Sequence, residues 1–92
     1  PILFVIWANR EYRVLKHNLD IYRLRYDSAS NNPYPHMDLE GPIIDFVALA
    51  QGHGVNAERI DDPEKIEAAV KKAFESKSPT LLEITIAGKN AN

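Results

Sequence analysis

The sequence contains no cysteine among its 92 residues. Disulfide bonds and thiolate metal sites are therefore excluded, and the redox state of the compartment is left open. A strong net charge is also missing, because 11 basic and 13 acidic residues give a formal net charge of −2. Such a balance offers no electrostatic attraction to nucleic acid or to an anionic membrane, and we expect neither as a partner.

Long apolar runs and a signal-peptide pattern are absent as well. No run approaches the roughly 18 apolar residues of a membrane span, and the expected location is the cytoplasm. The only methionine is Met37, and the chain opens with Pro1 directly before an apolar run. A chain terminus carries a charge that must stay solvated, so we expect these residues to be the carboxyl-terminal piece of a longer protein.

The sequence lacks the common motifs that identify a particular enzymatic reaction. The sequence has no glycine-rich phosphate loop, no Ser/His/Asp set at a recognisable turn and no paired histidine ligands. His36 and His53 are isolated, so an exposed loop residue and a helix-end residue are the expected interpretations. No catalytic residue is predicted within the chain.

The chain does have a short apolar run at its beginning. The six residues from Ile2 to Trp7 are apolar and rich in β-branched and aromatic types, which predicts a parallel strand buried on both faces. The run stops at Ala8-Asn9. Open α/β sheets bind ligands at the carboxyl ends of their strands, so Asn9 is a candidate ligand-binding residue. The alternative is that Asn9 only ends the strand or caps the next helix.

The remaining pattern alternates between helices and strands. It predicts helices over 11–25 and 42–51, a strand over 55–60, a helix that begins at Asp62-Pro63, and a last strand over 80–86. Residues 27–39, rich in Ser, Asn and Pro, predict a long loop. This order indicates an α/β fold with a parallel sheet flanked by helices. Three strands alone would leave apolar sheet edges exposed, so further strands are expected upstream.

Two helices have defined faces in this prediction. In the first helix, apolar residues at spacings of three and four share one stripe, and the basic residues form what is best interpreted as a solvated face, with anion binding as the alternative. The stripe consists of Tyr12, Leu15, Leu19, Tyr22 and Tyr26, and the basic residues are Arg13, Lys16, His17, Arg23 and Arg25. In the last helix the predicted buried stripe is Ile66, Ala69, Val70, Ala73 and Phe74.

Asn9 and Glu11 form half of a possible magnesium site. One amide and one carboxylate do not complete the oxygen shell of Mg²⁺, which commonly takes one or two protein ligands together with phosphate oxygens. The pair therefore indicates a metal only beside a phosphorylated cofactor. From the residues alone, the sequence supports a ligand-facing strand end and no named reaction.

A resemblance to a known family sharpens this expectation. The segment FVIWANREYRVLK resembles the strand and Asn-Asn turn that close the cofactor motif of thiamine-diphosphate-dependent enzymes, and IDFVALAQGHGV followed by PTLLEI resembles the end of the same diphosphate-binding domain. This combination is similar to the group of acetolactate synthase, pyruvate oxidase and benzoylformate decarboxylase, with the last looking closest. The resemblance implies that residues 1–87 are the carboxyl-terminal part of a three-layer diphosphate-binding domain and that residues 88–92 are a tail.

The resemblance also assigns roles to residues. Asn9 matches the second asparagine, whose side-chain oxygen binds Mg²⁺ in the family. Glu11 matches the position that gives its backbone carbonyl to the metal, which implies that its side chain matters little. Tyr12 and Leu15 match the start of a helix bordering the cofactor. Ala8 departs from the motif, because it replaces the first asparagine, and the Gly-Asp-Gly part of the motif would lie before Pro1.

The implied function is a thiamine-diphosphate- and Mg²⁺-dependent enzyme acting on a small 2-oxo acid, most simply a decarboxylase (a lyase) of the benzoylformate decarboxylase type. A carboligating enzyme like acetolactate synthase and a non-catalytic α/β binding module are the alternatives. In the family, a second subunit supplies the glutamate that activates the cofactor. The implied partners are therefore the remainder of the parent chain and that second subunit, and the 92 residues alone are expected to be inactive.

Overall fold

The computed structural model describes residues 1–26 and 34–87. These residues form two compact units, the first made of residues 1–9 and 45–86 and the second of residues 10–26 and 34–44 with Ala87. The predicted tail, 88–92, and residues 27–33 of the predicted loop lie outside the described residues. No helix of the described ranges is long and apolar enough to cross a membrane.

The first unit is a parallel α/β layer. Its strands are β1 (Leu3–Ala8), β2 (Asn56–Ile60) and β3 (Thr80–Thr85), and its helices are α2 (Phe46–Gly52) and α3 (Ile66–Glu75), the latter preceded by a 3₁₀ turn over Pro63–Lys65. The second unit contains α1 (Arg13–Arg25). The strand order is β1-β3-β2, and both pairings are parallel. The predicted α/β class with a parallel sheet and flanking helices is confirmed.

The core of the first unit lies between α3 and one face of the sheet. Leu82 and Ile84 of β3 are buried together with Ile60 of β2 and Ala69 of α3. Full burial of a leucine side chain such as Leu82 contributes about 1.5–3 kcal/mol. Leu3, Val5, Ile66 and Val70 pack against this cluster. The predicted α3 stripe is thus confirmed except for Phe74, which is 61 % exposed.

The prediction that β1 is buried on both faces is wrong for this structure. β1 pairs only with β3 and lies at the edge of the sheet, where Phe4 is 50 % and Trp7 60 % exposed. Only its Ala8 is buried. An apolar run indicates which residues can be buried, whereas the position of the strand in the sheet determines how much neighbouring structure covers them. The exposed apolar edge expected of a three-stranded sheet is confirmed.

The second helix begins later than predicted. The sequence pattern placed its start at Gly41-Pro42, but that peptide bond is cis and α2 begins at Phe46. Asp45 is the N-cap, and its Oδ1 accepts a hydrogen bond from the backbone N–H of Ala48 at 3.0 Å. A carboxylate cap satisfies one of the N–H groups that a helix start leaves unpaired, which explains the later start. At the other end His53 is the C-cap, as the pattern predicts, and Gly54 follows it with φ 78°.

Candidate functional site

The carboxyl ends of the three strands meet at one edge of the first unit. β1 ends at Ala8, β2 at Ile60 and β3 at Thr85, and the register of the two pairings aligns these ends. Asp61 follows β2 and accepts a hydrogen bond from the Thr85 hydroxyl at 2.6 Å. This edge is where open parallel sheets place their ligands, so the structure brings polar groups to the location expected of a binding site.

Asn9 follows β1 directly at this edge. Its backbone N–H donates to the carbonyl of Trp7 at 3.1 Å, which closes a tight turn at the end of the strand. The side chain is partly buried. The interpretation of Asn9 as a helix cap is wrong, because the N-cap of α1 is Tyr12. Asn9 therefore ends the strand at the ligand edge, and its candidacy as a ligand stays open.

The second unit contains the other three candidate residues. Glu11 is buried, whereas Tyr12 and Leu15 are 49 % and 47 % exposed at the start of α1. Arg10, which precedes them, has φ 61°, in the left-handed region that non-glycine residues rarely occupy.

Because of the backbone conformation at Arg10, different substitutions there should change the free energy of unfolding by different amounts. In this region a side chain costs about 1–2 kcal/mol, and a β-branched one costs more. We expect Arg10→Val to lower the free energy of unfolding by about 1–2 kcal/mol relative to Arg10→Gly, measured by urea denaturation. Arg10→Ala should fall between them. Equal stabilities for the valine and glycine variants would show that Arg10 does not hold this conformation.

The side chain of Glu11 is engaged within the protein. Its Oε1 lies 2.9 Å from the ammonium of Lys16 and 3.6 Å from the guanidinium of Arg13. The side chain at this position therefore has a structural role, because a buried carboxylate is stable only when it is paired. Lys16 engages one oxygen of this carboxylate, and the atom that the family resemblance implies as a metal ligand is the backbone carbonyl of Glu11.

Lys16 overturns the prediction of a fully solvated basic face on α1. It is 6 % exposed, and its Nζ donates to Asp38 Oδ1 at 2.6 Å as well as to Glu11. Ion pairing compensates the desolvation that burial imposes on the ammonium. The apolar stripe of the same helix remains largely exposed instead, with Tyr22 at 57 % and Tyr26 at 62 %. Sequence reasoning missed Lys16 and Asp38, because their pairing spans 22 residues.

The environment of Lys16 gives the second unit a defined pH dependence. The hydrogen bonds from Lys16 to Asp38, then to Glu11, raise its pKa above the ordinary value of 10.5. A raised lysine pKa stabilises the folded state fully below about pH 10.5, and the contribution disappears as the pH rises through the folded-state pKa. We therefore expect the stability of the protein to fall more steeply above about pH 10.5 than that of Lys16→Met, measured by urea denaturation at successive pH values.

A control is needed for that measurement because Tyr34 titrates in the same range. Its hydroxyl donates to Asp20 at 2.6 Å, and this bond raises the pKa of Tyr34 above 10.0. The effect has the same sign, since the protonated phenol is the form stabilised on folding. Tyr34→Phe removes that contribution and should leave the difference due to Lys16. Parallel curves for the protein and Lys16→Met in this background would contradict the assignment.

The donor chemistry of the candidate residues suits a magnesium ion bound together with phosphate. Asn9 offers an amide oxygen and Glu11 a backbone carbonyl oxygen, both hard ligands of the type that Mg²⁺ prefers. Within residues 1–26 and 34–87, no group of three or more histidine, cysteine or acidic side chains could hold a metal on its own. In the half-site prediction, the remaining oxygens of the metal shell would come from a phosphorylated cofactor.

Comparison with known proteins identifies the family of this fold. Residues 1–84 match the model described as thiamine pyrophosphate enzyme, C-terminal TPP binding domain. The chain is 32% identical over 84 residues to benzoylformate decarboxylase of Pseudomonas aeruginosa, covering 91% of this chain and 14% of that protein. It is 30% identical over 86 residues to the putative acetolactate synthase large subunit IlvX of Mycobacterium tuberculosis, covering 89% of this chain and 16% of that protein.

A solved structure is similar over nearly the whole chain. The thiamine diphosphate-dependent 4-hydroxybenzoylformate decarboxylase of Rhodococcus jostii RHA1 superposes with a TM-score of 0.80 at 28% sequence identity, covering 99% of this chain and 16% of that one. The chain thus spans about one-sixth of the length of the relatives it matches. With the family model matching nearly every residue, the chain belongs to the C-terminal TPP-binding domains of thiamine pyrophosphate enzymes.

Proposed function

We propose that this domain serves a thiamine-diphosphate- and Mg²⁺-dependent enzyme that decarboxylates a 2-oxo acid of the benzoylformate type. The observation that carries the proposal is the placement of Asn9 at the carboxyl end of β1 in a domain of this family. Similarity to two decarboxylases, named for benzoylformate and 4-hydroxybenzoylformate, supports the choice of substrate. A cytoplasmic location and an assignment as a lyase belong to the same proposal.

Asn9 and Glu11 are the proposed metal ligands, through the side-chain amide oxygen and the backbone carbonyl oxygen respectively. One residue separates them, so covalent geometry alone keeps their Cα atoms within about 7 Å. The Glu11 carboxylate is not the ligand in this proposal, because Lys16 holds it at 2.9 Å. The metal would anchor the diphosphate of the cofactor to the end of β1.

Tyr12 and Leu15 are the proposed cofactor contacts. Both are large, half-exposed side chains in the first turn of α1, and such groups can exclude water from a bound cofactor. Thiamine diphosphate, when bound, supplies the electron sink for loss of carbon dioxide from the 2-oxo acid. The protein groups assigned here hold and orient it. No residue of the chain is proposed to act as the acid or base.

The remaining cofactor site is proposed to come from other parts of the enzyme. We propose that residues 1–87 are one part of the binding domain, that the rest of the parent chain completes the sheet, and that a second subunit supplies the activating glutamate. The edge position of β1 and the exposure of Phe4 and Trp7 support additional structure at that edge. In this proposal the 92 residues alone are catalytically inactive.

Product analysis on the full-length parent protein, called the intact protein from here on, tests the proposed reaction. With thiamine diphosphate and Mg²⁺ present, we expect benzoylformate to yield benzaldehyde and carbon dioxide in equal amounts. Pyruvate is the comparison substrate, because ligation of two molecules with loss of one carbon dioxide would yield acetolactate. That outcome would favour the carboligase, which the similarity to the acetolactate synthase subunit supports. Turnover of neither compound would overturn the proposed decarboxylase.

A further inference from the structure

Two backbone hydrogen bonds fix the orientation of Glu11. The N–H of Tyr12 donates to the carbonyl of Met37, and the N–H of Leu39 donates to the carbonyl of Arg10, both at 2.8 Å. Between these bonds, Glu11 and Asp38 lie opposite each other in an antiparallel bridge. This arrangement is a non-hydrogen-bonded pair, in which the N–H and C=O of each residue point away from the opposing segment. The Glu11 carbonyl therefore points away from residues 37–39.

The side chains of the same two residues are joined by Lys16. The two opposed residues of a non-hydrogen-bonded pair have Cα atoms only about 4.5 Å apart, so their side chains are close. The ammonium of Lys16 lies 2.9 Å from Glu11 Oε1 and 2.6 Å from Asp38 Oδ1. It thus cancels the repulsion between two carboxylates that the backbone pairing brings together.

The Lys16 clasp, defined as Lys16 with Glu11 and Asp38, also ties the bridge to α1. Lys16 lies in the first turns of this helix, and its N–H donates to the carbonyl of Tyr12 at 3.2 Å. Its Nζ lies 5.6 Å from the centre of the Tyr34 ring, a distance that suits a cation–π contact. Residue 11 is therefore held by the backbone hydrogen bonds of its two neighbours, Arg10 and Tyr12, and by the buried ion pair of its own side chain.

We propose that Lys16 is a positioning residue for the magnesium site, acting through the backbone of Glu11. The clasp keeps Glu11 and Asp38 paired, and the pairing keeps the Glu11 carbonyl in the orientation in which it binds the metal. The inference rests on the proposed function, because it requires the Glu11 carbonyl to be a ligand. Groups that orient metal ligands without touching the metal typically change metal affinity 10–100-fold when they are lost.

The test is the affinity of the intact protein for Mg²⁺ at saturating thiamine diphosphate, measured by calorimetry. We expect Lys16→Met to raise the dissociation constant for Mg²⁺ about tenfold or more. Lys71→Met is the matched control, because Lys71 is an exposed lysine of α3. The affinity of this control variant for Mg²⁺ should equal that of the unmodified protein. A dissociation constant for Lys16→Met within about twofold of the control would overturn the inference.

A second substitution separates positioning from a general loss of stability. In the Lys16→Met variant the lysine no longer joins the Glu11 and Asp38 carboxylates, and adding Asp38→Asn removes one charge and introduces an amide donor. We expect the double variant to regain most of the lost Mg²⁺ affinity. No recovery, with the fold retained, would contradict a role through the Glu11–Asp38 pair.

Two further outcomes also decide between the inference and the proposed function: a Lys16→Met variant that does not fold, and an unmodified protein that does not bind the ligands. If Lys16→Met does not fold, Asp38→Ala alone provides the test, because alanine removes the acceptor for Lys16 at residue 38 and the Asp38 side chain is 42 % exposed, so its loss is tolerable. We expect it to weaken Mg²⁺ binding about threefold to tenfold, and unchanged binding would overturn the inference. Absence of Mg²⁺ and thiamine diphosphate binding in the unmodified protein would instead overturn the proposed function. The two failures are thus distinguishable.

Discussion

Asn9→Ala is expected to raise the dissociation constants of Mg²⁺ and thiamine diphosphate about 10–100-fold. The substitution removes one proposed oxygen ligand of the metal, and a hydrogen-bond or ligand contact to a charged group is worth about 1.5–3 kcal/mol, which corresponds to that factor. The binding of metal and of cofactor should weaken together, because in the proposed site the metal joins the diphosphate to the end of β1. Calorimetric titration of the intact protein with each component, at saturation of the other, measures both constants.

The fold should survive this substitution. The hydrogen bond that closes the turn after β1 uses the backbone N–H of Asn9, which alanine retains. Asn18→Ala is a matched control, since Asn18 is an exposed residue of α1 and alanine has a high helix propensity at such a position. The control should bind both ligands like the unmodified protein. Equal affinities for the Asn9 and Asn18 variants would remove Asn9 from the proposed metal site.

Glu83→Ala should destabilise the first unit by about 2–4 kcal/mol. Glu83 is 3 % exposed at the centre of β3, and its carboxylate accepts from the backbone N–H of Phe46 at 3.1 Å and from Arg59 Nε at 2.5 Å. Alanine would leave the N–H at the start of α2 without its acceptor and Arg59 with Asp45 as its remaining partner, at 2.8 Å. The estimate allows for the 41 % exposure of the Arg59 side chain, which weakens the ion pair.

Chemical denaturation and hydrogen exchange measure this effect at two levels. The free energy of unfolding gives the total, and exchange at the N–H groups of α2 and β3 shows whether the loss is local. Glu83→Gln should cost less than Glu83→Ala, because an amide oxygen can still accept from Phe46. Glu75→Ala, at an exposed position of α3, should leave stability nearly unchanged. Equal stability of the Glu83 and Glu75 alanine variants would contradict a structural role for Glu83.

Local sequence patterns predicted the elements of the fold well because their causes are local. The apolar run before Ala8, the Asp-Pro start at residues 62–63 and the TLLEIT strand each carry their signal within a few residues. Asp62 does accept from the N–H of Glu64 at 3.0 Å, although the segment it caps is a 3₁₀ turn that leads into α3. The direction of the strands followed from the alternation of elements.

The errors at β1 and Lys16 share a different cause, which is contact between distant residues. The exposure of β1 depends on strand order, and the burial of Lys16 depends on Asp38, which is 22 residues away. The pairing of Arg59 with Glu83 requires the register of two strands that are not adjacent in sequence. A basic residue among other basic residues carries no local sign that it will be buried.

The candidate site was predictable in part. The strand end at Asn9 followed from the residues, whereas the roles of Asn9, Glu11, Tyr12 and Leu15 came from resemblance to a family. The structure adds that Lys16 engages the Glu11 carboxylate. Those four roles remain predictions until a ligand is bound.

Titration of the intact protein with thiamine diphosphate, with and without Mg²⁺, tests the central claim most directly. Asn9 and the Glu11 carbonyl are proposed to hold a metal that in turn holds the diphosphate. We therefore predict saturable binding of one thiamine diphosphate per site in the presence of Mg²⁺ and binding at least tenfold weaker in its absence. No binding, or binding that is independent of the metal, would contradict the account.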